Sequence, residues 1–240
     1  SRVFNNAYCS GPRCAVARRS ILTGQYDWRP EGVGNANDYL DPVTGLKTAG
    51  GIPGDSDTYA SPAQAVGYRT CYIGKYHMGA SDDVPQGGAS LRGPINQGFD
   101  VEIAAGHEGA PPVSYFALAD PADPTNFTYG LHGSIIDDAS YMLPSEAAVT
   151  ASGEYLTDRL TKKAKGFIHD TITNHSKPFF LTLAHYAVHT PAEAKANDIT
   201  YFTTKKTGMS FANHPKSASP LERDSSSAVR MIQDNRVYAG

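Results

Sequence analysis

Apolar residues Tyr155, Leu156, Leu160, Ala164, Phe167, Ile168 and Ile172 recur at helical spacing, with polar residues between them. This period predicts an amphipathic helix of about 20 residues that lays one face on a sheet. Directly after it, Lys177 to Tyr186 becomes nearly continuous in apolar and β-favouring residues. Such a run is expected of a strand buried on both faces, at the centre of a sheet. Upstream, the pattern predicts a helix near Ala15 to Leu22 stopped by Gly24, a short helix opened by Ser61-Pro62, and a strand at Thr70 to Gly74. Residues 79–152 are rich in Gly, Pro, Asp and Ser, with short apolar pieces at Phe99–Ile103 and Val113–Leu118, and read as long loops. The alternation of helix and strand predicts an α/β fold, a mainly parallel sheet flanked by helices. Ligand sites in such sheets gather beyond the carboxyl ends of strands, where Ala187 to Pro191 falls. There is no internal repeat.

Composition adds limits. With 240 residues and 40% hydrophobic content, the chain can bury a sizeable core as one large domain or two small ones. Lys and Arg number 21 against 24 Asp and Glu, for a net charge of -3. With no run of one sign, this gives neither a nucleic-acid nor a polybasic membrane footprint. The longest apolar stretch, Phe179 to Val188, is too short to span a bilayer, and no signal-like leader opens the chain. Three cysteines cannot all pair internally, so disulfides do not define the fold. The sequons at Asn126 and Asn174 are too short to carry weight. The abrupt apolar beginning at Ser1 to Tyr8 and the helical pattern cut short at Val229 to Gly240 lead us to expect an internal piece of a longer domain.

Candidate chemistry begins at Cys14, at or just before a helix start, where unpaired N–H groups and the dipole favour an anion. Arg18 lies one turn on, and the two can form an oxyanion pocket with a nucleophile at its mouth. The alternative is a buried cysteine beside a solvated pair, Arg18 and Arg19, of which Arg19 is expected to be dispensable. If the chain stays extended past Ile73, Lys75 and His77 point to one side and reach one anion. His185 and His189 have the spacing of helical metal ligands, but the β-rich run and Pro191 argue against a helix, leaving His185 as a packed strand residue. His107, in Gly106-His107-Glu108-Gly109, is either a substrate-binding residue lining a cleft or an ordinary loop histidine.

These segments together resemble the type I sulfatases of the alkaline-phosphatase superfamily. The matching residues are Phe4-Asn5-Asn6-Ala7-Tyr8, then Cys14-Ala15-Val16-Ala17-Arg18 with Leu22-Thr23-Gly24, Gly67 to Gly79, and Pro178-Phe179-Phe180-Leu181 running to His189-Thr190-Pro191. Spacing to Leu22-Thr23-Gly24 selects Cys14 over Cys9. The resemblance reaches Asn235 to Ala239 and implies the sulfatase fold, with residues 1–240 a partial catalytic domain that lacks an upstream aspartate strand and a downstream Asp-Asn pair and lysine. It further implies that Cys14 is oxidised to formylglycine by the formylglycine-generating enzyme. The hydrated aldehyde attacks sulfur, and Arg18, Lys75 and His77 compensate the sulfuryl charge. His189 protonates the leaving alcohol. The implied cofactor is Ca²⁺ or Mg²⁺, with converted Cys14 its only ligand in this span. The implied partner is a sulfated small molecule or glycan, and the implied compartment is periplasmic, secreted or lysosomal. Val16 departs from the pattern, standing where the family has a proline that aids recognition of the cysteine. Two other readings stay open: a phosphodiesterase or phosphonate hydrolase of the same superfamily, and a non-catalytic binder of sulfated glycans.

Overall fold

The computed structural model describes residues 8–10, 14–26, 39–40, 47–48, 52, 57–78, 93–106, 108–119, 127–129, 131, 140–143 and 153–205. His107, Asn126, the opening Phe4–Ala7 and the closing Val229–Gly240 lie outside them. In chain order the elements are α1 (Cys14–Thr23), β1 (Tyr39–Leu40), β2 (Lys47–Thr48), α2 (Ala60–Ala65), β3 (Arg69–Gly74), β4 (Val101–Ile103), β5 (Leu118–Ala119), β6 (Phe127–Thr128), α3 (Leu156–Asp170), β7 (Phe179–Ala184) and α4 (Ala196–Lys205). A 3₁₀ turn at Pro94–Gln97 leads into β4.

Strands β4, β3 and β7 form a parallel sheet in that spatial order. The register runs from Arg69 opposite Phe179 to Gly74 opposite Ala184. Two antiparallel pairs, β1 with β2 and β5 with β6, are small additions. The sheet is parallel and flanked by helices, as the alternation implies, but its centre differs from the expectation. Strand β3 is the middle strand, buried from Thr70 to Gly74, whereas β7 pairs on one side only among the described residues. Phe179 and Leu183 on β7 are 38% and 37% exposed. A continuous apolar run reports high β-propensity, and strand order depends on pairing partners elsewhere in the chain.

Alternation along β3 feeds two cores. Cys71 and Ile73 join Leu156, Leu160, Ala164 and Phe167 of α3 on one face. Tyr72 joins Leu22 of α1, Ala60 of α2, Tyr76 and Phe99 on the other. Helix α3 matches the predicted stripe up to Asp170 and then widens into a π turn at Thr171–His175, which leaves Ile172 exposed. It also buries Arg159 and Lys163, which the apolar pattern leaves among the polar positions. Arg159 lies 3.7 Å from Glu154, and the Lys163 ammonium donates to the Ser140 carbonyl at 2.5 Å, so each buried charge meets an oxygen.

The two ends of β3 are built differently. At its start, Arg69 bonds Asp170 at 2.5 Å, Thr171 at 3.0 Å and the Tyr141 hydroxyl at 3.1 Å. At its end, Gly74 has φ +92°, and a Cβ there would lie 2.1 Å from the Ala184 carbonyl oxygen. Only glycine fits both the backbone and the close approach of β7. Lys75 N–H then donates to Ala184 O at 2.7 Å, continuing the pairing one residue as the strand turns away.

Candidate functional site

Helix α1 opens with Cys14 and closes at Gly24, whose N–H donates to Ser20 O at 2.9 Å with φ +68°. This is the left-handed glycine ending the sequence predicts. The helix buries Ala15, Arg19 and Leu22 and leaves Cys14 exposed. Tyr59 N–H bonds the Leu22 carbonyl at 2.8 Å, holding the end of α1 to the start of α2.

From that position α1 presents Cys14 and Arg18 to the exit of β3. Cys14 Sγ lies 3.1 Å from Nδ1 of His77. Arg18 Nη1 donates to the Lys75 carbonyl at 2.5 Å and lies 3.4 Å from the Tyr72 hydroxyl. Tyr72 donates to the same Lys75 carbonyl at 2.9 Å. One carbonyl, with its two lone pairs, therefore receives both donors and ties the helix to the strand exit. Burial pushes the Tyr72 phenol up to about 12, which keeps it a donor at neutral pH. Its ring meets Tyr76 and Phe99 edge-on, each at 5.4 Å. Tyr76 in turn bonds Gln97.

Lys75 is 3% exposed. Its burial lowers the ammonium pKa, Cys14 nearby raises it, and Arg18 lowers it further. A buried cation so placed binds an anion strongly, because little water competes for it. The route by which Lys75 and His77 come together differs from the extended-chain expectation. Gly74 and His77 both have positive φ, +92° and +59°, so the backbone curls rather than alternates. His77 N–H donates to Gly106 O at 3.2 Å, and the Gly109 backbone lies against the imidazole.

His189 sits beyond the end of β7, at the same carboxyl edge of the sheet as Lys75 and His77. It is exposed, and its described contacts are to Tyr186, Tyr115 and Thr190. Its N–H bonds Tyr186 O at 3.0 Å, its carbonyl accepts from the Tyr115 hydroxyl at 3.0 Å, and Nδ1 lies 3.1 Å from the Thr190 carbonyl. The structure thus joins Cys14 to His77 and Arg18 to the Lys75 backbone by contact, sets the Lys75 ammonium within electrostatic reach of Cys14 and Arg18, and places His189 at the same edge without a described contact to them. The Thr190 hydroxyl also lies 3.2 Å from His189 Nδ1, so that nitrogen has an acceptor beside it for one tautomer and a donor for the other. His185 is half-buried just past β7, its Nδ1 enclosed and its pKa lowered by burial, consistent with packing. Cys9 lines a recess on another side of α1, with Ala17, Ser20 and Ile21. None of the three cysteines is in a disulfide.

Two contributors escape a sequence reading. Tyr72 has a visible signal, since alternation in β3 turns it away from Cys71 and Ile73. Gly109 has none. Among the described residues no three His, Cys, Asp or Glu side chains group as a metal site. The groups around Cys14 are amine, guanidinium and imidazole, whereas Ca²⁺ or Mg²⁺ takes several hard oxygens. The described residues therefore do not fit such an ion. Nor is any described helix long and apolar enough to cross a membrane.

A family model described as Sulfatase matches residues 2–213. The chain is 33% identical over 190 residues to an arylsulfatase of Hemicentrotus pulcherrimus, covering 78% of this chain and 30% of that protein. It is 28% identical over 233 residues to the N-acetylgalactosamine-6-O-sulfatase of Bacteroides thetaiotaomicron, covering 78% of this chain and 41% of that one. The crystal structure of Ps i-CgsB in complex with k-i-k-neocarrahexaose superposes with a TM-score of 0.50 at 25% identity, over 82% of this chain and 39% of that structure. The chain spans well under half the length of each of these relatives.

Proposed function

Because the chain belongs to the sulfatase family, we propose that the whole protein is a sulfuric ester hydrolase that releases sulfate from a carbohydrate sulfate through a formylglycine made from Cys14. The observation that carries this reading is the 3.1 Å contact between Cys14 Sγ and His77 Nδ1, at a helix start flanked by Arg18 and Lys75. The carbohydrate assignment rests on the relative named for N-acetylgalactosamine-6-O-sulfate and on the structural neighbour crystallised with k-i-k-neocarrahexaose.

Once formed, the formylglycine supplies a hydrated aldehyde whose hydroxyl is the nucleophile toward sulfur. His77 Nδ1 faces Cys14 Sγ, whose place on Cβ an oxygen takes on conversion, and from there it can take or return a proton of the hydrated aldehyde. Lys75 holds a cation in a buried position beside it, where it opposes charge gathering on the sulfuryl oxygens. Arg18, fixed by the Lys75 carbonyl, adds a second cation and sets the angle at which α1 meets β3. His189, exposed at the same sheet edge, is the acid for the departing alcohol. The family implies Ca²⁺ or Mg²⁺, an ion that the described residues do not fit.

Val16 is the feature that favours a second reading, in which Cys14 stays a thiol and the pocket only binds sulfated glycans. The decisive experiment uses the whole protein co-expressed with a formylglycine-generating enzyme. The Cys14 peptide is weighed, and product release is followed from an aryl sulfate, a 6-sulfated N-acetylgalactosamine and a phosphodiester. The proposal expects the aldehyde mass and sulfate release. A persistent thiol with retained glycan binding selects the binder. Turnover of the phosphodiester alone selects the superfamily's phosphate chemistry.

A further inference from the structure

We infer that Gly109 is a positioning residue that sets the imidazole of His77 against Cys14, and that this position requires glycine because of that ring rather than because of its own backbone. A Cβ built at Gly109 would lie 2.5 Å from His77 Cε1, 2.6 Å from Nε2 and 3.1 Å from Cδ2. Side-chain carbons do not approach that closely, so any other residue displaces the ring. The Gly109 backbone lies outside the left-handed region, so alanine there carries no conformational penalty of its own.

His77 has little freedom to absorb the displacement. Its backbone sits at φ +59°, its N–H is bonded to Gly106 O at 3.2 Å, and its Nδ1 is 3.1 Å from Cys14 Sγ. The loop from Gly106 to Gly109 thus grips the residue at two points, backbone and ring edge. The ring is wedged between Gly109 on its Nε2 side and Cys14 on its Nδ1 side. Moving one wall moves the contact at the other.

The inference rests on the proposed function only where it concerns turnover, and its test separates the two. Cys14 is left unconverted in the full chain and alkylated with iodoacetamide, the rate at Cys14 being read by peptide mapping in Gly109→Ala, His77→Ala and the double variant. His77 Nδ1, 3.1 Å from Sγ, can accept the thiol proton as sulfur attacks the reagent, so His77→Ala and Gly109→Ala should each slow alkylation about threefold or more. In the double variant Gly109→Ala should add nothing, because the ring it displaces is gone. Should Gly109→Ala fail to fold beside His77 yet fold in the His77→Ala background, the same conclusion follows. An effect of equal size in both backgrounds, failure to fold in both, or an alkylation rate that ignores both substitutions overturns it. In the converted enzyme, kcat for an aryl sulfate should fall about tenfold or more with KM within about twofold. A parent enzyme that hydrolyses no sulfate ester would sink the proposed function and leave the alkylation result to decide the role of Gly109.

Discussion

Arg18→Lys separates two roles that the structure assigns to one side chain. Arg18 Nη1 bonds the Lys75 carbonyl at 2.5 Å, so the substitution removes a charge-assisted hydrogen bond between α1 and the exit of β3. Such a bond contributes roughly 1.5–3 kcal/mol. For 240 residues that corresponds to a fall in melting temperature of about 3–12 °C, and to less in a longer whole protein, whose unfolding entropy is larger. If Arg18 also stabilises charge on the sulfuryl group, turnover should drop a hundredfold or more, on the order of 3 kcal/mol in the barrier. Tyr72→Phe supplies the comparison. It deletes the neutral donor to the same carbonyl, a loss of about 1 kcal/mol, while the ring stays packed against Tyr76 and Phe99. Sulfate release and thermal midpoint are measured for both variants of the whole protein, with formylglycine content at position 14 matched by mass. The expected result is a modest loss of stability in each and a large loss of turnover in Arg18→Lys alone. If Arg18→Lys melts early yet releases sulfate within about threefold of the parent at equal conversion, Arg18 is only a strut. Arg19, expected from the sequence to be dispensable, is 7% exposed, a burial that gives it a part in packing α1. Arg19→Lys should lower the melting temperature while leaving kcat at equal conversion unchanged.

Burial disfavours the charged form of Lys75, so Lys75→Met should melt at or above the parent temperature at pH 7 while abolishing sulfate release. A clear loss of thermal stability would mean that the ammonium holds the fold together. Glu102 on β4 makes the opposite pH argument, because burial raises its pKa from 4.5 to about 7 despite the Ile95 N–H. Between those values the folded carboxyl keeps a proton that the unfolded chain has released, so this group's stabilisation is present in acid and is lost as pH rises through about 7. Urea titrations from pH 5 to pH 8 should therefore show Glu102→Gln gaining on the parent with rising pH, by on the order of 3 kcal/mol at most. Parallel curves for the two proteins would refute the buried carboxyl.

Local pattern and tertiary contact contributed different parts of this molecule. The stop of α1 at Gly24, the stripe of α3 from Leu156 to Phe167 and the strand before Gly74 are legible because each depends on neighbours within a few residues. Helical period, glycine's access to positive φ and β-propensity act at that range. The resemblance of the motifs to the sulfatases likewise implies Cys14, Arg18, Lys75, His77 and His189 as candidates, with spacing selecting Cys14 over Cys9, but a motif carries no coordinates. The strand order is not legible, because Phe179–Ala184 has the same composition at an edge as at a centre, and only tertiary pairing puts Arg69–Gly74 in the middle of the described sheet. Arg19, Arg159 and Lys163 read as surface charges until the packing around them closes. The contact between Cys14 and His77 spans 63 residues, and it depends on a curled exit from β3 that the extended pattern does not suggest. Gly109 is the extreme case. Its importance comes from the absence of a Cβ beside an imidazole 32 positions away, and a missing atom has no signature until the chain is folded around it.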